Sequence, residues 1–192
     1  MKSQPDFSII AFQTKKKWRS WLLKNYNFSD GLWLRLFKKD SGVKSINRDQ
    51  ALDEALCFGW IDGQAKSYDD ESYLQKFTPR RKQSIWSKRN TEKVKQLIQD
   101  GKMHSSGLAA VESAKADGRW AKAYDSPVNM KIPNDFLKQI SKKPKAFAFF
   151  KTLNKTNLYS IAWRLQTAKK PETRLKRMKT IIEMLGQGKK FH

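Results

Sequence analysis

Histidine and cysteine are almost missing from this chain, whose 192 residues include only His104, His192 and Cys57 of those two types. A lone cysteine excludes an intrachain disulfide. Its place in an apolar run fits a buried thiol in a reducing compartment. With no His-x-x-x-His or Cys-x-x-Cys spacing, a zinc or iron centre is not expected. A Ser-His-Asp or Cys-His pair would have to recruit one of the two histidines, and neither lies in a nucleophile motif. Glycine is also sparse, and Gly59 and Gly63 match neither G-x-G-x-x-G nor G-x-x-x-x-G-K-S, which argues against a phosphate-cradling loop and nucleotide hydrolysis. No window approaches the ~20 apolar residues of a membrane span, so integral membrane association is not expected. Repeats and low-complexity tracts are absent.

Acidic residues are the scarcest charged class: 18 Asp and Glu stand against 40 Lys and Arg, leaving a formal net charge of +22. An excess of that size attracts polyanions at low salt, which makes nucleic acid and other polyanions candidate partners, and the competing reading is a solvated surface that serves solubility. Residues 134–192 hold 15 of the basic and 3 of the acidic groups, so +12 of the +22 lies in the last third. Against this charge stand 7 Trp and 11 Phe, enough large apolar groups for a core and too many for a disordered basic protein. The start of the chain, broken by Pro5 and Asp6 and followed by Lys15–Lys17, does not read as a secretion signal, and the cytoplasm is the expected compartment.

Periodicity predicts an α+β protein, predominantly helical, with a small antiparallel sheet in the N-terminal half and a helical C-terminal region. Ser8–Phe12 reads as a strand, and Thr14 caps a helix carrying Trp18, Trp21 and Leu22. Leu32, Leu34 and Leu36 alternate with Trp33, Arg35 and Phe37 as in a strand, ending in a turn at Lys38–Gly42. Asn47 and Gln50 form a capping box for a helix ending near Gly59. A hairpin follows across Tyr68–Ser72. Past Pro79, helices are expected to Asp100, with Val94, Leu97 and Ile98 inward, and over Ser106–Asp117. Pro127 and Pro133 bracket a linker. Three or four more helices then follow, marked by Phe136–Ile140, Lys145–Leu153, Leu158–Thr167 and Glu172–Leu185. The expected division is an α+β lobe over 1–126 and a basic helical lobe over 127–192.

The chemistry concentrates between Glu54 and Asn90. Pairing the hairpin symmetrically about Asp70 places Ile61, Ala65, Tyr73 and Phe77 on one face, and Trp60, Asp62, Gln64, Lys76, Thr78 and Arg80 on the other. Glu54, Trp60, Asp62, Gln64, Arg80, Arg81, Trp86 and Asn90 are therefore the candidate ligand-binding residues. Arginine forks suit carboxylate or phosphate. The competing reading is a structural ion pair of Glu54 or Asp62 with Arg80 or Arg81. In the last helix Leu175, Met178, Ile182 and Leu185 form an apolar stripe, and Arg174, Lys176, Arg177 and Lys179 face away from it as candidate nucleic-acid contacts. Because no helix-turn-helix, zinc finger or RNP motif is present, binding there would be general rather than sequence-specific.

Several segments also carry a family likeness: Gly31–Arg35, Ala51–Gly63 with its Glu-Ala-Leu-Cys-Phe-Gly-Trp-Ile-Asp-Gly run, Phe77–Arg81, Trp86–Lys88 with Asn90, Ala114–Trp120 and Ala168–Arg174. Over nearly its whole length the chain resembles the YdeI/OmpD-associated (OmdA-like) family of small bacterial proteins, also labelled bacteriocin-protection proteins. It departs from the family pattern at Gly101–Gly107, where Pro and Ala would precede the glycine. The resemblance implies no established catalytic activity. Its names imply association with a porin or tolerance of bacteriocins, and direct contact with a porin is not expected for a cytoplasmic protein. The leading expectation is a non-catalytic protein binding an anionic partner, nucleic acid among them, with no cofactor. The alternatives are an enzyme of unknown reaction using Glu54, Asp62 and Arg80, and an indirect role in bacteriocin or envelope-stress protection.

Overall fold

In a computed structural model that describes residues 7–126 and 129–190, the alternating leucines of the first half form one wall of a sheet. Pro127, at one end of the expected linker, and His192 lie outside the described residues. The chain divides into two compact units, Met1–Trp86 with Asn90–Lys122 and Ser87–Arg89 with Ala123–His192.

The first unit is built on strands β1 (Ile9–Ile10), β2 (Leu32–Phe37), β3 (Trp60–Ser67) and β4 (Ser72–Pro79), in the order β1-β2-β4-β3. The α+β class holds, but the sheet is mixed rather than purely antiparallel, because β1 runs parallel to β2, with Ile9 opposite Trp33. Between them the chain traverses helix α1 (Lys15–Asn25), the crossover that a parallel pair needs. Thr14 caps α1 by accepting from Lys17 N at 3.2 Å. Helix α2 (Arg48–Cys57) starts with the expected capping box of Asn47 and Gln50.

Leu32, Leu34 and Leu36 are buried, with Phe77 opposite Leu32. Trp18 reaches the same core, edge-on to Phe77 at 5.7 Å and stacked on Trp21 at 5.4 Å. Its indole N–H donates to the Ala51 carbonyl at 3.0 Å, tying α1 to α2. Each such ring pair contributes about 0.5–1.5 kcal/mol beyond burial. Helix α3 (Lys88–Gln99) buries Asn90, Thr91, Val94 and Leu97, whereas Ile98, expected inward, is 39% exposed, because the buried stripe is centred on Asn90, Val94 and Leu97. Helix α4 (Ser105–Ala116) packs on α2, where a Cβ on Gly107 would stand 2.1 Å from the Cys57 carbonyl oxygen, so no side chain fits there.

The hairpin register departs from symmetry. Ala65, Lys66 and Ser67 pair with Gln75, Leu74 and Tyr73, as pairing about Asp70 requires, but Asp62 pairs with Phe77 and Trp60 with Pro79. An extra residue between Asp62 and Ala65 makes a β-bulge. The buried Gln75 amide donates to the Gly63 and Gln64 carbonyls at 2.8 and 3.3 Å, supplying bonds the broken ladder leaves unmade. Consequently Trp60 and Asp62 stand on the face of Phe77, not on the polar face expected for them, and Trp60 is buried.

In the second unit, α5 (Asn134–Ile140), α6 (Pro144–Phe150), α7 (Lys155–Gln166) and α8 (Pro171–Gly186) enclose a core of Phe136, Ile140, Ile161, Leu165, Met178, Ile181 and Leu185. Leu175 is 63% exposed, which corrects its place in the inward stripe. Ile181 takes that place, since it lies three residues after Met178 and four before Leu185.

Candidate functional site

At the end of β4 the backbone of Gly31 presses against Phe77 and Thr78. A Cβ there would come within 2.7 Å of the Phe77 oxygen, and its φ of +143° is one that glycine adopts readily. This close approach brings Asp30 and Phe7 beside the strand. Phe7, Asp30, Lys76, Thr78, Pro79, Arg80 and Arg81 line a cleft of about 490 Å³. Its polar wall carries three cations against the single carboxylate of Asp30.

The three cations are held differently. Arg80 lies flat, its guanidinium carbon 3.6 Å from the centre of the Trp86 ring, with Nη1 donating to the Ile85 carbonyl at 3.3 Å. Trp86 is buried and packs on Trp120 at 4.9 Å, so the platform under Arg80 is rigid. Lys76 places its ammonium 4.1 Å from the Phe7 ring centre. Arg81 is exposed. Among the described residues, neither Lys76 nor Arg81 has a carboxylate within ion-pair distance.

The remaining sequence candidates do not join this cleft. Glu54 is buried and pairs with Arg19 at 2.8 Å and Lys15 at 3.8 Å. Arg19 also donates to the Lys102 carbonyl at 2.8 Å, fastening α1 to the loop before α4. Asp62 pairs with Arg48 of α2. The ion pairs expected with Arg80 or Arg81 are therefore not the ones formed. The bulge turns Asp62 toward α2, and Glu54 faces α1. Trp60 donates to the Tyr26 carbonyl at 3.2 Å as part of the core. Gln64 is exposed in the bulge, and Asn90 is buried in α3. Cys57, next to Arg19 and Glu54, is buried, and burial pushes its thiol pKa up although Arg19 pulls it down. Among the described residues no group of three or more His, Cys, Asp or Glu could hold a metal ion, and no helix is long and apolar enough to cross a membrane.

Of the four basic candidates on α8, two are tethered. Arg174 forms a two-pronged pair with Asp135, holding that carboxyl below its ordinary range, and Arg177 donates to the Arg164 carbonyl at 2.7 Å. Lys176 and Lys179 are exposed, the latter 4.0 Å from Glu183.

Missing from the candidates were Phe7, Asp30, Lys76 and the half of β2 that faces away from the core. Trp33, Arg35 and Phe37 form that half, opposite Lys76, Leu74 and Ser72 of β4. Lys66 of β3 extends over the Trp33 ring at 4.5 Å. The signal was present in the Leu-Trp-Leu-Arg-Leu-Phe alternation, where the non-leucine positions are aromatic or cationic.

Two family models match: Domain of unknown function (DUF8412) over residues 10–110, and Bacteriocin-protection, YdeI or OmpD-Associated over residues 129–188. The second is the family that the sequence motifs resembled, and the first takes most of the N-terminal half, where several of those motifs lie. No curated protein and no solved structure matches the chain.

Proposed function

The chain belongs to the DUF8412 family and carries a bacteriocin-protection, YdeI or OmpD-associated segment at its C-terminal end, and on that premise we propose that it is a non-catalytic protein that binds an anionic partner through the Lys76, Arg80 and Arg81 cleft. The observation that carries this reading is the different restraint of the three cations. Arg80 is immobilised on Trp86, while Lys76 and Arg81 are left without carboxylate partners beside it. A pre-oriented guanidinium loses little freedom when it binds a phosphate or carboxylate, and its planar fork suits both. The exposed Lys176 and Lys179 of the second unit would add salt-sensitive, sequence-independent attraction. We place the action in the cytoplasm, which suits a single buried thiol.

Acid–base catalysis by Glu54, Asp62 and Arg80 is the weaker reading. The two carboxylates are neutralised by separate arginines, Arg19 and Arg48, and neither lines the cleft. A titration of labelled nucleic acid and of polyglutamate at several salt concentrations tests the proposal. Binding is expected to weaken steeply with salt, to fall on Arg81→Ala and Lys76→Ala, and to survive Asp62→Asn. Affinity for every polyanion that is unchanged by both cleft substitutions would refute it.

A further inference from the structure

The helices of the first unit cover one face of its sheet. Trp18 of α1 meets Phe77, and Trp60 and the β2 leucines are buried on that side. The opposite face alternates cations with rings. In one cross-strand row, Arg35, Leu74 and Lys66 lie side by side on β2, β4 and β3. In the next, Trp33 is opposite Lys76. Leu74 is 1% exposed although it faces away from the main core, between Arg35 and Lys66. The stems of long cationic side chains are suited to covering such a leucine while their charged ends stay in water.

Charge on this face is unevenly compensated. Arg35 pairs with Asp69 at 2.7 Å, whereas Lys66 and Lys76 have no ion-pair partner among the described residues. Both instead point their ammonium groups at Trp33, at 4.5 and 5.8 Å from the ring centre. A lysine resting on an indole is weakly held, and a stacked base gains more from a ring than an exposed ammonium does. Phosphates arriving with the bases would accept the released lysines. Lys76 belongs both to this face and to the cleft of Arg80 and Arg81, so the cationic surface is continuous from β3 to the end of β4.

We propose that this open sheet face binds single-stranded nucleic acid, with Trp33 as a stacking platform, Lys66 and Lys76 as phosphate contacts, and the Arg80 and Arg81 cleft as the end of the track. The assignment rests on the anion-binding reading of the cleft and names its partner. A duplex keeps its bases stacked on each other and offers the ring nothing, and a polyanion without bases offers only charge. The face therefore discriminates among polyanions that the cleft alone would treat alike.

The test compares single-stranded DNA and RNA of about 12 nucleotides with a duplex of the same length and with polyglutamate, by anisotropy at about 50 and 200 mM salt. The expected order is single strand above duplex and polyglutamate. Trp33→Leu, which keeps a bulky strand residue, is expected to lose about tenfold for single strands and nothing for duplex. Trp33→Tyr, which restores a ring, should recover most of that loss. Lys66→Glu, on the exposed edge strand, is a second variant that gives up only a surface contact with Trp33 and part of the cover over Leu74, and should weaken single-strand binding in a protein that still unfolds cooperatively. Duplex preference, or single-strand affinity indifferent to both Trp33→Leu and Lys66→Glu, would overturn this inference and leave the cleft reading standing. Failure to bind any of the four ligands at low salt would overturn both.

Discussion

Arg80 and Arg81 are adjacent in sequence, and the structure predicts that they fail in opposite ways when removed. Arg80→Ala loses the stacking on Trp86 at 3.6 Å and the bond to the Ile85 carbonyl at 3.3 Å. A partly desolvated cation–π contact contributes up to about 2 kcal/mol and a charged hydrogen bond about 1.5–3. Because Arg80 keeps access to water, the combined loss is expected near 1–2 kcal/mol. For a chain of this size that lowers the thermal midpoint by about 2–8 °C. Arg81→Ala, at an exposed position, is expected to change stability by less than about 0.5 kcal/mol. Ligand response reverses the ranking. Inorganic tripolyphosphate at about 100 times its dissociation constant would stabilise the native protein by about 2.7 kcal/mol, raising the midpoint by some 5–10 °C. Arg81→Ala is expected to abolish most of that rise in a protein of normal basal stability. Differential scanning fluorimetry with and without tripolyphosphate reads both effects. Trp86→Phe retains a ring under the guanidinium and gives up an indole nitrogen without a hydrogen-bond partner among the described residues, but it leaves a cavity at a buried position and should cost at least as much as Arg80→Ala. Equal destabilisation by Arg80→Ala and Arg81→Ala, with the tripolyphosphate shift intact in the second, would refute the division of roles.

Elsewhere the structure makes further commitments. Gly107→Ala sets a Cβ against the Cys57 carbonyl and should cost about 3 kcal/mol or more, measured by urea denaturation. Glu54→Ala should cost about 1–2 kcal/mol, below the ~3–5 of a fully buried pair, because Arg19 remains 39% exposed and can hydrate. Cys57 should resist thiol reagents in the native protein. Since burial raises its pKa, the fold keeps this contribution below the free-thiol value of about 8.5 and loses it as pH rises further, which alkaline unfolding curves would reveal. Asp135 shows the opposite sign. Its pairing with Arg174 lowers its pKa, so the stabilisation is present above the ordinary Asp value and lost as pH falls through the depressed one, and Asp135→Asn should flatten acid unfolding in that range.

Much of the fold was legible because its signals are local. Thr14 and the Asn47–Gln50 box start their helices through bonds spanning three residues, and the leucines of β2 needed only a period of two. The site was legible in part. Arg80 does lie on Trp86, since a turn of few residues joins them, but Glu54 and Asp62 pair with Arg19 of α1 and Arg48 of α2, because the packing of those helices, and not separation in sequence, decides which cation each carboxylate meets. The hairpin shows where local reasoning ends. Its tip pairs as symmetry requires, and the bulge at Gly63 and Gln64 then moves Trp60 and Asp62 to the other face.

What the sequence determined by itself is the class of protein: helices and strands set by capping and periodicity, a core rich in tryptophan and phenylalanine, and a net charge of +22. Only the tertiary structure decided which of those charges are available. An arginine that meets a carboxylate across 35 residues, as Arg19 meets Glu54, is already satisfied, while Lys66 and Lys76, left against an indole on an open sheet face, are not. Charge is a property of composition, but its neutralisation depends on distances of a few ångströms between residues remote in the chain.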